Sequence, residues 1–181
     1  MEDTKRHELF GGAITAVGPS NLVDASDIRP VPDAQEVFLY PTGNGNSIIV
    51  ESLMRVDEED PKKAIRFIFL GSAEDTDALG PRVELVSDPI HAGLEDSSTP
   101  SPVILHGTQT VIKSRSRPPE RVLILMALYR LEHKRTDLLV TFNIPLDGPD
   151  GATSQATIDA TKLQFDCFTR SLRIVDFGLF A

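Results

Sequence analysis

Four carboxylates, Asp24, Asp27, Asp33 and Glu36, fall in one short stretch punctuated by Pro30 and Pro32 and followed at once by an apolar run. Each proline fixes its φ and removes a backbone donor, so Asp24–Glu36 reads as a stiff loop rather than a regular element. A stiff loop holds polar side chains in place at reduced entropic cost on binding, which suits a charged contact surface. The same residues also suit a structural role. Asp24 or Ser26 can cap a helical turn, and Asp33 can complete a Pro-Asp turn. Local physics on its own favours this second role.

Other chemistries find less support. Gly43-Asn44-Gly45-Asn46-Ser47 resembles part of a phosphate loop but lacks the Gly-Lys-Ser/Thr ending that grips phosphate and magnesium, so it reads as a hairpin turn. The chain has no Gly-x-Ser-x-Gly nucleophile elbow. His7, His91, His106 and His133 stand far apart without paired metal-ligand spacing, and His133 falls in a polar turn. Cys167 is the only cysteine, which rules out an internal disulfide, and its place on a helical stripe reads as core packing. Arg115–Arg121 contains Pro118-Pro119 and no aromatics, so it reads as a solvated loop. No catalytic residue, metal site or cofactor is expected.

Strands and helices must position the acidic loop. Arg121–Leu131 is apolar on both alternating faces, with Val122, Ile124, Met126 and Leu128 on one and Leu123, Leu125, Ala127 and Tyr129 on the other. Such a strand must be covered on both sides. Asp137–Pro145 follows after a short polar link, with Leu138, Val140 and Phe142 opposed to Leu139 and Thr141, which implies an antiparallel pair. Glu36–Tyr40, Ser47–Leu53, Arg82–Ser87 and Val103–Lys113 read as further strands, although Ser47–Leu53 also fits a buried helix segment. Asp60-Pro61 opens a helix expected to turn Ala64, Ile65, Phe67 and Ile68 inward. A second helix runs from Ser154 toward Arg173 and carries Ile158, Leu163 or Thr161, Phe165, Phe168 and Leu172 on one stripe. Together they define an α+β class: a three-layer helix–sheet–helix sandwich around a mainly antiparallel sheet, as one domain over residues 1–181.

The net charge of −9 is uneven: residues 1–60 hold 12 acidic and 4 basic residues. That acidity opposes nucleic acid and suits a basic protein surface. The N-terminus mixes charges and has no apolar core, so it reads as neither a signal nor a transit peptide, and no apolar run suits a bilayer. The expected setting is nucleus and cytoplasm, as a monomer without membrane attachment.

Several blocks, in order along the chain, resemble the Ran guanine-nucleotide release factors, the MOG family. They are Leu9-Phe10-Gly11-Gly12-Ala13-Ile14, the run Asp24-x-Ser26-x-Ile28-Arg29-x-Val31-Pro32-Asp33-x-Gln35-Glu36-Val37-Phe38, and Ser47-Ile48-Ile49-Val50-Glu51. Ala127-Leu128-x-Arg130-Leu131, Thr136–Asn143 with Pro145, and the closing Val175-Asp176-x-x-Leu179-Phe180-Ala181 continue the likeness. The resemblance implies a PsbP-like α/β/α sandwich that binds the GTPase Ran, releases its nucleotide and supports nuclear import, with other Ran-binding transport proteins as further partners. It implies a non-covalent regulator rather than an enzyme. The alternative is a transport adaptor that binds Ran without exchange activity. Carried over by motif, the Ran-binding candidates are Asp24, Arg29, Asp33, Gln35, Glu36 and Glu51, with Asp27 in the same loop. After the Glu51 position the family continues Leu-Leu-Glu where this chain has Ser52-Leu53-Met54, so a carboxylate expected at Met54 is missing.

Overall fold

The computed structural model describes residues 3–42, 45–89 and 98–181. Its centre is a seven-stranded antiparallel sheet. The strands are β3 (Val23–Asp24), β4 (Gln35–Leu39), β5 (Ser47–Met54), β6 (Leu79–Ser87), β7 (Val103–Val111), β8 (Glu120–Arg130) and β9 (Thr136–Pro145), in the order β3-β4-β5-β9-β8-β7-β6. Ser47–Met54 is therefore a strand and not a helix segment. It pairs with β9 along its whole length, from Ser47↔Asn143 to Met54↔Thr136.

β8 and β9 form the middle of the core, and their faces divide as the alternation predicts. Leu123, Leu125, Ala127 and Tyr129 join Leu138, Val140 and Phe142 in one apolar cluster. Val122, Ile124, Met126 and Leu128 join Leu139 in the other. Helix α1 (Pro61–Asp75) covers the second face. Asp60 caps it by accepting from the Lys62 amide, and Pro61 occupies its first turn. Helix α2 (Gln155–Ser171) covers the first face and is capped by Ser154 through the Thr157 amide.

The third layer holds more than a helix. After β9 the short strands β10 (Asp147–Gly148) and β11 (Gly151–Ala152) pair with each other, and β1 (Thr4–Leu9), β2 (Ile14–Pro19) and β12 (Arg173–Ile174) make a separate antiparallel sheet in the order β1-β2-β12, on which α2 packs at β2. The sequence reading had no strands here. β1 reads Thr-Lys-Arg-His-Glu-Leu, too polar to signal a strand on its own.

One helical position and one cysteine differ from expectation, and one alternative is resolved. Phe67 is 65% exposed, and Phe69 is the ring that is fully buried. Ala64, Ile65, Phe69 and Ala73 keep the i, i+4 spacing of one stripe, and Phe67 falls off it. On α2, Thr161, Phe165 and Phe168 are buried while Leu163 is exposed. Cys167 is exposed rather than packed, because it lies beside that stripe. His91 lies outside the described residues, as do Gly43 and Asn44 of the glycine-rich turn.

Phe69 fixes one residue on the facing strand. A Cβ at Gly107 would lie 2.7 Å from the Phe69 Cζ and 3.0 Å from the Arg82 carbonyl oxygen. With the ring fully enclosed, neither neighbour can give way cheaply. Gly107→Ala should therefore lower unfolding stability by ~1–3 kcal/mol through overpacking, read as a lower urea midpoint at unchanged slope. An unchanged midpoint would show that α1 is free to lift from β7.

Candidate functional site

The acidic loop is built as a sequence of anchored turns. Asp24 ends β3 and caps the 3₁₀ turn Ala25–Asp27, accepting from the Ser26 amide at 2.8 Å. The Ile28 and Arg29 amides both return to the Ala25 carbonyl. Asp27, Arg29 and Asp33 are exposed, whereas Asp24, Gln35, Glu36 and Glu51 are half-buried. The Gln35 amide donates to the Pro32 carbonyl and the Ser52 amide to the Ala34 carbonyl, tying the turn around Asp33 onto β5.

Strand register then separates the candidates. Gln35 pairs with Glu51, and Glu36 pairs with Val50. Alternation sends the two members of each strand to opposite faces. Gln35 and Glu51 lie on the α1 side, where the Gln35 Nε2 donates to the Glu51 Oε2 at 3.0 Å. Glu36 lies on the α2 side and accepts the Phe10 amide at 2.7 Å. Phe10 has φ +50°, followed by Gly11 at +66° and Gly12 at +93°. A non-glycine residue in this region is strained, so Glu36 secures a costly turn and clasps the small sheet to the large one. The candidates thus form no single patch on one sheet face. Gln35 and Glu51 meet directly, the loop residues sit at the sheet's edge, and Glu36 points the other way.

Glu51 has an environment that disfavours its charge. Burial pushes its carboxyl above the ordinary glutamate range, and the Gln35 hydrogen bond only partly offsets this. Among the described residues no cation pairs with it. It borders a groove of about 510 Å³ between α1 and strands β5, β9 and β8. The groove exists because α1 lies mainly across β6, β7 and β8 and leaves the β4–β5–β9 half of that face only partly covered, with Leu139 still packed against the helix cluster. Asn143 on β9 lines its floor, with its Nδ2 donating to the Ser47 Oγ.

One charged cluster escaped the sequence reading. Asp137 is 1% exposed and sits between Arg55 at 3.2 Å and Arg130 at 2.9 Å, and its Oδ1 also receives the Leu131 amide. Arg130 donates onward to the Glu58 and Val56 carbonyls. This network clamps the β8–β9 turn to the segment leaving β5, beside Met54, which is 85% exposed. The available signal was Asp137 at the start of an apolar strand, where a lone carboxylate needs cations. Breaking such a buried pair typically costs ~3–5 kcal/mol. Among the described residues no group of three or more His, Cys, Asp or Glu could hold a metal ion, and no helix is long and apolar enough to cross a membrane.

Comparison with known proteins bears on this arrangement. The family described as Ran-interacting Mog1 protein matches residues 7–145, and the chain belongs to that family. The chain is 36% identical to the Ran guanine nucleotide release factor of Homo sapiens over 159 residues, covering 85% of this chain and 82% of that protein. It is 30% identical to the nuclear import protein mog1 of Schizosaccharomyces pombe, covering 96% and 99%. The crystal structure of the Saccharomyces cerevisiae Ran-binding protein Mog1p superposes with a TM-score of 0.72 at 26% identity, covering all of both chains. A cyanobacterial PsbP from Synechocystis shares the fold alone, with a TM-score of 0.50 at 11% identity over 96% of this chain and 94% of its own.

Two carboxylates should respond differently to substitution. Glu36→Ala should cost ~1–3 kcal/mol by orphaning the Phe10 amide, and Glu36→Gln should retain most of that stability. Equal stability of all three chains in urea would show the clasp to be idle. For Glu51 the folded-state pKa lies above the unfolded one, so its contribution is most favourable below the unfolded pKa and is lost as pH rises through the folded one. Glu51→Gln should therefore be more stable than the parent at pH ~7, with the gain shrinking as pH falls toward the ordinary glutamate pKa of ~4.3. A gain independent of pH would contradict the desolvated carboxylate.

Proposed function

We propose that the chain binds the small GTPase Ran and promotes release of its bound guanine nucleotide, in support of nuclear protein import. The observation that carries this is the family match over residues 7–145, joined to relatives named as Ran guanine nucleotide release factor and nuclear import protein. The proposed role is that of a non-covalent regulator of a GTPase, acting as a single-domain monomer in nucleus and cytoplasm, with other Ran-binding transport proteins as further partners.

Release by such a protein is a matter of differential binding. It must hold nucleotide-free Ran more tightly than nucleotide-bound Ran, because a ligand indifferent to the two states shifts nothing. The proposed contact set is Asp24, Asp27, Arg29, Asp33, Gln35, Glu36 and Glu51. The exposed Asp27, Arg29 and Asp33, with Gln35 and Glu51, would face Ran. Asp24 and Glu36 would act through the loop they hold, given their backbone bonds to Ser26 and Phe10. A carboxylate offers two acceptor oxygens to the lysine or backbone amides that otherwise hold phosphate, so Glu51 and the loop carboxylates can compete for those groups. Glu51 supports this reading because its carboxylate is desolvated beside the groove without a cation partner among the described residues, a common mark of a functional site.

A second reading is a Ran-binding adaptor without exchange activity. Met54 favours it, since the exposed position carries a thioether where the family pattern has a carboxylate.

Nucleotide release from purified Ran, followed alongside plain binding, separates the two. Under the release reading, Asp33→Asn or Glu51→Gln slows release well beyond any effect on thermal stability. If both release at the parental rate with the fold intact, the carboxylates are not the exchange element. Association should also slow as salt rises, because screening shortens the reach of the acidic N-terminal third to ~10 Å at 0.1 M. A salt-independent on-rate would remove electrostatic steering from the account.

A further inference from the structure

The groove beside α1 is an elongated trough with acceptors toward both ends. At one end stands Glu51, without a cation partner among the described residues. Toward the other stand Asp75 on α1 and Gln109 on β7. Gln109 is only 8% exposed, and its Oε1 has no hydrogen-bond partner among the described residues. A buried acceptor left unpaired is costly, and an entering donor recovers the loss. Register measures the trough. Glu51 pairs with Leu139, which pairs with Leu128, whereas Gln109 pairs with Val122. The two ends are thus three strands and six strand positions apart, roughly 20 Å or more at ordinary sheet spacings. One side chain cannot reach both. Between the ends Ile49, Met126 and the exposed Phe67 ring supply apolar surface, beside the polar Ser72, Thr141 and Asn143. No lysine, arginine or histidine lines the trough among the described residues.

We infer that this trough receives an extended segment of a protein partner, about seven residues long at the rise of a strand, with a basic side chain toward each end and apolar side chains between them on the same face. The basic head at the near end meets Glu51. The far end supplies donors to Asp75 and Gln109. Phe67 lies against an aliphatic stem or the cation itself. The inference deepens the reading of Ran as partner and rests on it only for that partner's identity.

The test uses the whole chain, labelled with ¹⁵N, and a synthetic peptide, Arg-Thr-Val-Thr-Val-Thr-Arg, whose two arginines and two valines share one face of a strand, beside the same peptide with citrulline for arginine. The arginine peptide should shift the side-chain amide signals of both Gln35 and Gln109 saturably. Affinity should fall about tenfold or more for the citrulline peptide and in the Glu51→Gln chain. No saturable shift, or equal affinity for the neutral peptide, overturns the inference. Ran binding then separates this claim from the previous one. A chain whose affinity for Ran survives Phe67→Ser and Gln109→Leu unchanged keeps Ran and loses the trough. A chain that takes the peptide but not Ran keeps the trough and loses Ran.

Discussion

Strand β8 carries apolar side chains on both faces, and both faces have to be kept from water. Much of the architecture follows from that constraint. On one side α2 and the small three-stranded sheet close over Leu125, Tyr129 and Phe142, and the Tyr129 hydroxyl donates to the Thr169 carbonyl at 2.6 Å. On the other side α1 is the only helix among the described residues, with Val56 packed at its margin. A single helix spans only part of a seven-stranded sheet, and α1 is drawn toward β6–β8 by the approach of Phe69 to Gly107. The β4–β5–β9 half of that face remains only partly covered, and Glu51 stands on it. The proposed binding surface is therefore a consequence of where the core needed its helix.

Position along the sheet also decides which charged residues hold the fold together and which are exposed to a partner. Asp24, Glu36 and Asp137 are spent on backbone amides or on partly buried arginines. Asp27, Arg29 and Asp33 are exposed on anchored turns. Glu51 belongs to neither group. It is half-buried, has one hydrogen bond from Gln35, and is desolvated without a compensating cation among the described residues. A carboxylate in that state gains most from a partner that brings positive charge, because desolvation has already occurred.

Much of this was legible in the sequence, for identifiable reasons. The two faces of β8 and β9 follow from alternation, and both helix starts follow from their caps, Asp60-Pro61 and Ser154. The capping role of Asp24 was foreseen as one of two readings. Other features depend on contacts that no local pattern encodes. The small sheet joins β2 to β12, whose pairs Thr15↔Arg173 and Ile14↔Ile174 lie far apart in the chain. Which face Glu36 and Glu51 occupy follows from the β4–β5 register, and a one-position slip of β4 would bring Glu36 to the same face as Glu51. The exposure of Phe67 in place of Phe69 is a small phase difference on a helix whose apolar residues crowd together.

The central claim is that the open half of the α1 face is where this chain meets its partner. Hydrogen exchange of the chain, alone and with nucleotide-free Ran, tests it most directly, since protection reports which amides a partner shields. The account requires new protection in Gln35–Leu39, Ser47–Met54 and the C-terminal half of α1, with β1, β2 and α2 unchanged. Protection confined to α2 and the small sheet, with the β4–β5 amides exchanging as in the free chain, would contradict it.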